Sequence, residues 1–336
     1  MNTVRFGRTD VETSTICLGT WGHGGASTVG GRPVGWFGTD DREARCSLIE
    51  AHAAGITHWD TADVYGAGRA EQLIGSCWSD VSRDEIFLST KVGWDPGSHG
   101  HYYHPEQIRR QLESSLRNLH TDHIDVYYLH HCDFGTHGEY LDEAVDLLHT
   151  FRQAGKIRFI GLSDWKSEVI VKYAPRVNPD AIQCYRNVVD DTYEVSGLKE
   201  WVEQHDVGVA FFSPLKHGLL LGVFEGPVTF GDGDHRSALP EFRDFGLISR
   251  LRTCRREMGK RFHDHPEPVL HGLTGALLTD VPTGCVVLGL RRQEHVTAAS
   301  RVGQPLAPED ARWVRQLYQE NGRVTRASWR TFQQAR

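Results

Sequence analysis

The sequence lacks the signatures of several large protein classes. It has no CxxC pair: its seven cysteines are an odd count and widely spaced. That pattern points to reduced thiols in the cytoplasm rather than a disulfide framework. Positive charge is not in excess, since 37 basic and 44 acidic side chains give a formal charge of −7. This argues against a nucleic-acid or membrane-surface binder. No apolar run approaches the roughly 18 residues that a membrane span needs. The polar stretch Met1–Asp10 is without the apolar segment of a secretory signal. No low-complexity segment or Pro/Ser-rich linker divides the chain, so residues 1–336 read as a single domain in the size range of α/β barrels.

What is present is an alternation of short apolar runs, polar or Gly-rich turns and amphipathic stretches. The runs are Thr15–Leu18, Ile56–Trp59, Ile86–Ser89, Ile124–Leu129, Phe159–Leu162, Ala181–Ile182, Val207–Phe212 and Cys285–Leu288. Each is short and rich in β-branched or aromatic residues, as buried strands are. Between them, Ile108, Leu112, Leu116 and Leu119 share one helical face, as do Ala144, Leu147, Leu148 and Phe151. Pro105 after His104 suits a first helical turn. Eight strands alternating with helices predict an α/β fold with a parallel sheet closed as a (β/α)8 TIM barrel. An open doubly wound sheet would announce itself with a GxGxxG turn, and none follows Leu18. Val4–Phe6 and Val11–Thr13 predict an N-terminal hairpin. The Gly-rich connection after the seventh strand, from about Lys216 to Gly246, reads as a lid on the face where barrel sites lie.

Titratable groups gather at the strand ends. Asp60, Lys91 and His130 stand at or just past three neighbouring runs, and the turn Asp60-Thr61-Ala62-Asp63-Val64-Tyr65-Gly66 adds a phenol. Singly, Asp60 could cap a helix, Lys91 could be solvated and His130 could be a hydrogen-bonded core histidine. Together they fit proton-coupled hydride transfer, because burying four such groups is costly for a packing role alone. An ammonium beside a phenol is expected to lower its pKa, with a carboxylate keeping the ammonium charged. The imidazole can hydrogen-bond a substrate oxygen or share the proton. No Ser-His-Asp nucleophile elbow is evident.

On these residues the chain resembles the aldo-keto reductases over nearly its whole length. The stretches are LGTW (Leu18–Trp21), DTADVYG (Asp60–Gly66) with Glu71–Gly75, STKVG (Ser89–Gly93), and Ser115–Asp133. GKIRFIGLSDW (Gly155–Trp165), SPLKHGLL (Ser213–Leu220) and VVLGLRR (Val286–Arg292) complete the set. The resemblance implies a TIM barrel, NADP(H) across the carboxyl face, and reversible carbonyl reduction. It places a catalytic tetrad on Asp60, Tyr65, Lys91 and His130, the last chosen over His131 from Leu129-His130-His131-Cys132-Asp133. It implies cofactor contacts at Thr20 and Trp21, and at Ser163, Asp164 and Gln183 by the nicotinamide. Ser213, Leu215 and Gly218 fall in the pyrophosphate loop, and Gly289, Arg291, Arg292 and His295 fall toward the adenosine end.

The chain also departs from the family pattern. Asp164 stands where Asn is usual, and an ionised Asp cannot donate. In Gln183-Cys184-Tyr185-Arg186-Asn187, register puts Arg186 at the position of the ring that stacks on the nicotinamide. Either the strand end shifts locally or the guanidinium plane stacks in its place. Ala298 and Ala299 replace polar residues near the adenine.

Two rival readings remain. The 19 histidines include His99-Gly100-His101, His130-His131 and His263-Asp264-His265, which resemble ligand pairs of metal-dependent barrel hydrolases. Such enzymes need HxH at the end of an early strand, whereas His99 and His101 lie in a Gly/Pro/Ser loop after the third strand and His263–His265 closes a helix before Pro266, so no metal is expected. The other rival is a redox-sensing regulatory protein that binds NADP(H) with little turnover. The expected partner is a small carbonyl or alcohol substrate, with no nucleic acid and no membrane; oligomeric state is not indicated. Trp21, Trp94, Trp165, Phe134, Tyr102 and Tyr103 are candidates for an aromatic pocket. The tail Arg323–Arg336, with Trp329 and Phe332, either reaches that pocket or packs on the barrel.

Overall fold

The computed structural model describes residues 1–29 and 31–322; Trp329 and Phe332 lie outside the described residues. Eight parallel strands close into a barrel: Ile16–Gly19, His58–Asp60, Phe87–Val92, Ile124–Leu129, Ile157–Asp164, Ala181–Tyr185, Gly208–Phe212 and Gly284–Gly289. They follow one another around the barrel in chain order, and the eighth pairs with the first through Leu288↔Leu18. All eight expected runs are strands, most with ends displaced by a residue or two. Closure leaves the barrel sheet without an open edge.

Helices between the strands cover the outside. Pro105–Asn118 starts with His104, whose ring accepts from the Glu106 N–H, and with a proline where no N–H is needed. Its Ile108, Leu112 and Leu116 turn inward, and Leu119 caps it. Burying each such aliphatic side chain contributes about 1.5–3 kcal/mol. The helix Leu141–Gln153 buries Ala144, Leu147, Leu148 and Phe151 in the same way.

Alternation along each strand decides what faces the barrel axis. The inner floor is made by Cys17, Phe87, Val126, Tyr128, Ala181, Ala210 and Cys285, joined by Phe6 from the N-terminal hairpin Thr3–Arg5/Glu12–Ser14. Phe6 plugs the lower end, edge-on to His58 at 5.2 Å and to Phe87 at 5.6 Å. Gly208 permits this, because a Cβ there would lie 2.5 Å from the Phe6 ring. Counting by twos from this floor puts Asp60, Ser89, Lys91, His130, Ser163, Gln183, Tyr185 and Phe212 on the inner face nearer the carboxyl end.

Two connections meet over that end. The segment after the first strand carries a hairpin, Thr28–Val29 with Arg32–Pro33. The long connection after the seventh strand carries the short 3-10 turns Leu219–Leu221, His235–Ala238 and Pro240–Arg243. Gly35 bridges Asp234, the Phe37 N–H donates to the buried Asp234 carboxylate at 3.0 Å, and the Ser27 N–H donates to the Gly233 carbonyl. The expected lid is therefore a strap tied to a second loop. Among the described residues no helix is long and apolar enough to cross a membrane.

Candidate active site

Asp60 ends the second strand and Lys91 lies near the end of the third, so both side chains rise from the sealed floor. The Lys91 ammonium donates to Asp60 Oδ2 at 2.7 Å and to the Thr61 carbonyl at 2.6 Å. Asp60 Oδ1 accepts from the Ser89 hydroxyl at 2.9 Å and the Gln183 amide at 2.8 Å. Tyr65 arrives on the following turn, its hydroxyl 3.5 Å from the Lys91 nitrogen. The turn is tight because Gly66 (φ +63°) packs on Gly24, where a Cβ would come within 2.2 Å of the Gly24 carbonyl oxygen. His130 follows the fourth strand, tied by its N–H to the Val92 carbonyl, and its ring stands edge-on to Tyr65 with centroids 5.9 Å apart. The four expected catalytic side chains are thus adjacent.

The electrostatics correct one expectation. Burial pushes the Tyr65 phenol above its ordinary value, and the opposing pull of Lys91 does not offset burial together with the charge of Asp60. Lys91 behaves differently. Burial pulls its ammonium down, but Asp60 and Tyr65 outweigh burial and the net direction is up. The resting site holds a protonated phenol beside a charged ammonium.

The walls are aromatic. Trp21 stacks near Tyr65 at 6.3 Å, fixed by its indole N–H on the Val34 carbonyl, and also touches Trp36, His217 and His235. Trp94 stands edge-on to His130 at 5.9 Å and His131 at 4.4 Å. Trp165 packs with Tyr185 and Phe212. Phe134 and Tyr103 are core residues stacked on each other, and Tyr102 bonds the Asp133 carboxylate. Phe212 was read only as the end of a strand run and not as a pocket residue, although counting by twos from Ala210 would have turned it inward.

The expected cofactor residues divide. Thr20 is buried, with its N–H and hydroxyl both on the Asp60 carbonyl. Ser163 and Gln183 face the interior above Tyr128. Ser213 (φ +57°), Lys216 (+47°), His217 (+59°) and Gly218 (+89°) make a run of left-handed backbone around Leu215, a strained stretch of the kind found at ligand sites. Gly289 lies exposed on the rim, paired with Gly19. Arg291 donates to the Phe37 carbonyl at 3.1 Å and the Thr39 hydroxyl at 3.4 Å, and among the described residues it has no carboxylate partner. Arg292 is exposed between Glu43 and Glu294. Half-buried His295 lies near both arginines, and burial holds its ring below the ordinary value.

Two residues do not join this group. Arg186 is off the inward parity of Gln183 and Tyr185, so it points out of the barrel into the helix layer. There it pairs with Glu194, donates to the Leu277 carbonyl at 2.9 Å, and lies over the Tyr193 and Phe211 rings. The ring on the inner face is Tyr185, and Arg186 is a structural residue. Asp164 likewise follows the inward Ser163, and its carboxylate accepts from the Cys132 and Lys166 N–H groups at 2.8 and 2.9 Å. An acceptor suffices there, which accounts for Asp where Asn was expected. The histidine pairs are dispersed: His99 stacks on His104, His101 on Tyr140, and His265 on His271. Among the described residues no cluster of three or more His, Cys, Asp or Glu could hold a metal.

Comparison with known proteins agrees with this fold. The aldo/keto reductase family model matches residues 15–319. The uncharacterized oxidoreductase YqkF of Bacillus subtilis is 32% identical over 223 residues, covering 64% of this chain and 65% of that protein. The NADH-specific methylglyoxal reductase of Escherichia coli is 31% identical over 235 residues, 66% of this chain and 70% of the relative. The chain thus spans about two thirds of these relatives' lengths. A solved structure, the glycerol dehydrogenase of Gluconobacter oxydans, superposes with a TM-score of 0.79 at 25% identity, covering 96% of this chain and 97% of that one. A closed eight-stranded barrel, a Lys91–Asp60 pair beside Tyr65 and His130, and this family match lead to one conclusion: the chain belongs to the aldo/keto reductase family.

Proposed function

We propose that the protein is an NADP(H)-dependent oxidoreductase that reversibly reduces an aldehyde or ketone to an alcohol, with Tyr65 as general acid. The observation that carries this reading is the buried line Asp60–Lys91–Tyr65, with His130 edge-on to the phenol. The nicotinamide would supply the hydride. The chain's own residues handle the proton. Tyr65 Oη donates to the oxygen of the reacting carbonyl as alkoxide character develops, since an alkoxide is far more basic than a phenolate. Lys91, kept charged by Asp60, stabilises the phenolate left behind. His130 orients the substrate oxygen by hydrogen bonding. Trp21 and the exposed Trp94 flank this point.

The donor set suits the cofactor. Gln183 and Ser163 would hold the nicotinamide carboxamide, and the left-handed loop Ser213–Gly218 would lie along the pyrophosphate. Thr20 and Trp21 sit beneath the mouth. Among the described residues Arg291 bonds the Phe37 carbonyl and Thr39 hydroxyl and lies over the Trp36 ring, with no carboxylate partner, which suits an incoming 2′-phosphate; Gly289, Arg292 and His295 border it. Free thiols are compatible with the cytoplasm, and the cytoplasm is the compartment we propose.

The test is NADPH oxidation followed by absorbance across a panel of aldehydes and ketones. Turnover with at least one carbonyl is expected, and a folded protein that turns over none of them contradicts the proposal.

A further inference from the structure

Gln183 and Ser89 converge on one carboxylate oxygen. The amide nitrogen of Gln183 lies 2.8 Å and the hydroxyl of Ser89 2.9 Å from Asp60 Oδ1, while Oδ2 takes the Lys91 ammonium at 2.7 Å. All four side chains are buried. Ser89 sits two residues before Lys91 on the third strand. Gln183 is on the sixth strand, across the barrel from the second, so its hydrogen bond spans the interior.

We propose that Gln183 and Ser89 are positioning residues that lock Asp60 with Oδ2 on Lys91, so that the ammonium stays aimed at Tyr65. This rests on the proton-transfer reading of Tyr65 given above. A carboxylate can accept about four hydrogen bonds, and a buried one that loses a donor must find another or bear the desolvation cost. Turning to find one would take Oδ2 away from Lys91. The role differs from that implied by family resemblance, in which Gln183 serves the nicotinamide carboxamide. The two roles are compatible, since an amide nitrogen holding Asp60 keeps a second N–H and the amide oxygen. They separate by experiment.

The charge of Asp60 acts to raise the Tyr65 pKa and that of Lys91 to lower it. Two donors on Oδ1 blunt the first effect, so removing either one leaves Tyr65 harder to ionise. Tyrosine labelled with 13C at Cζ, with the Tyr65 signal assigned by its loss in Tyr65→Phe, reports this in the ligand-free protein. The onset of Tyr65 ionisation is expected at higher pH in Gln183→Leu and Ser89→Ala than in the parent. At saturating cofactor both variants lose about ten- to a hundredfold in kcat, the scale of a hydrogen bond to a charged group. Ser89→Thr, which keeps the hydroxyl, restores both readouts. If Gln183→Leu does not fold, Gln183→Asn serves in its place. Unmoved Tyr65 ionisation, with only the KM for cofactor raised, overturns the proposal. The Tyr65 signal needs no turnover, so absence of carbonyl reduction would defeat the functional assignment and leave this test standing.

Discussion

The Tyr65 hydroxyl lies 3.5 Å from the Lys91 ammonium, which also stands 5.1 Å from the centre of the phenol ring. The cation can therefore stabilise charge on the oxygen without displacing the ring. Tyr65→Phe keeps the ring against Trp21 and His130 but removes the proton. Carbonyl reduction is expected to fall by at least about 10²–10⁴-fold, the usual worth of general acid catalysis, with cofactor affinity nearly unchanged. More than about a tenth of parental turnover in a folded variant contradicts the role. The pH profile follows from the same geometry. In the proposed mechanism reduction needs the protonated phenol, whose pKa is raised, so kcat/KM for reduction is expected to stay level through neutrality. It declines only above the phenol's ordinary value of about 10. Lys91→Met is similarly slow, and its decline moves further toward alkaline pH.

NADPH is expected to be preferred over NADH. Arg291 carries the preference, because Arg292 already lies between two carboxylates. A hydrogen bond to a charged group is worth roughly 1.5–3 kcal/mol, which corresponds to about ten- to a hundredfold in cofactor choice. The check is kcat/KM for both cofactors in the parent, Arg291→Ala and Arg292→Ala. Equal efficiencies in the parent, or a preference unmoved in Arg291→Ala, rule the assignment out.

Arg186→Met is expected to weaken the fold and spare the chemistry. Removing one partner of a fully buried pair costs about 3–5 kcal/mol. Glu194 keeps about a third of its exposure, so screening reduces the loss to about 2 kcal/mol. Urea unfolding should show that loss while the KM for cofactor stays within about twofold of the parent, about 0.4 kcal/mol. A large rise in KM with unchanged stability would restore the stacking role.

Activity should survive prolonged dialysis against a strong chelator. In the proposed mechanism acid, orientation and charge stabilisation all come from side chains, and His99, His101 and His265 each stack on a different ring. Loss of activity that zinc or manganese restores would revive the hydrolase reading.

Stability is expected to fall as pH drops below about 6.5, the ordinary value for histidine. Burial holds His23 down to about 3 and His235 to about 4. Below 6.5 the unfolded chain takes up protons that the folded protein refuses, so lower pH favours unfolding. Each histidine costs about 1.4 kcal/mol per pH unit until its folded value is reached. Urea midpoints measured from pH 7 to 5 should show the decline, and His23→Gln should flatten it. Parallel curves for the two proteins would exclude His23 as a cause.

The eight strands, the helices packed on them and the titratable side chains at the strand ends were readable in the sequence, because these depend on local pattern. Ile124–Leu129 is the same segment in sequence and structure, and Asp60, Tyr65, Lys91 and His130 each follow a recognisable run. Which way a side chain points at a strand end was harder to read. A one-residue step in parity sends Arg186 out of the barrel to Glu194, and turns Phe212 inward. Only closure of the barrel brings Gln183 to Asp60, 123 positions away in the chain, or ties Gly35 to Asp234 across the mouth. Closure also sets the direction of the Tyr65 pKa. The sequence shows a neighbouring charge, whereas desolvation depends on everything the fold packs around the phenol, and here it is the larger effect.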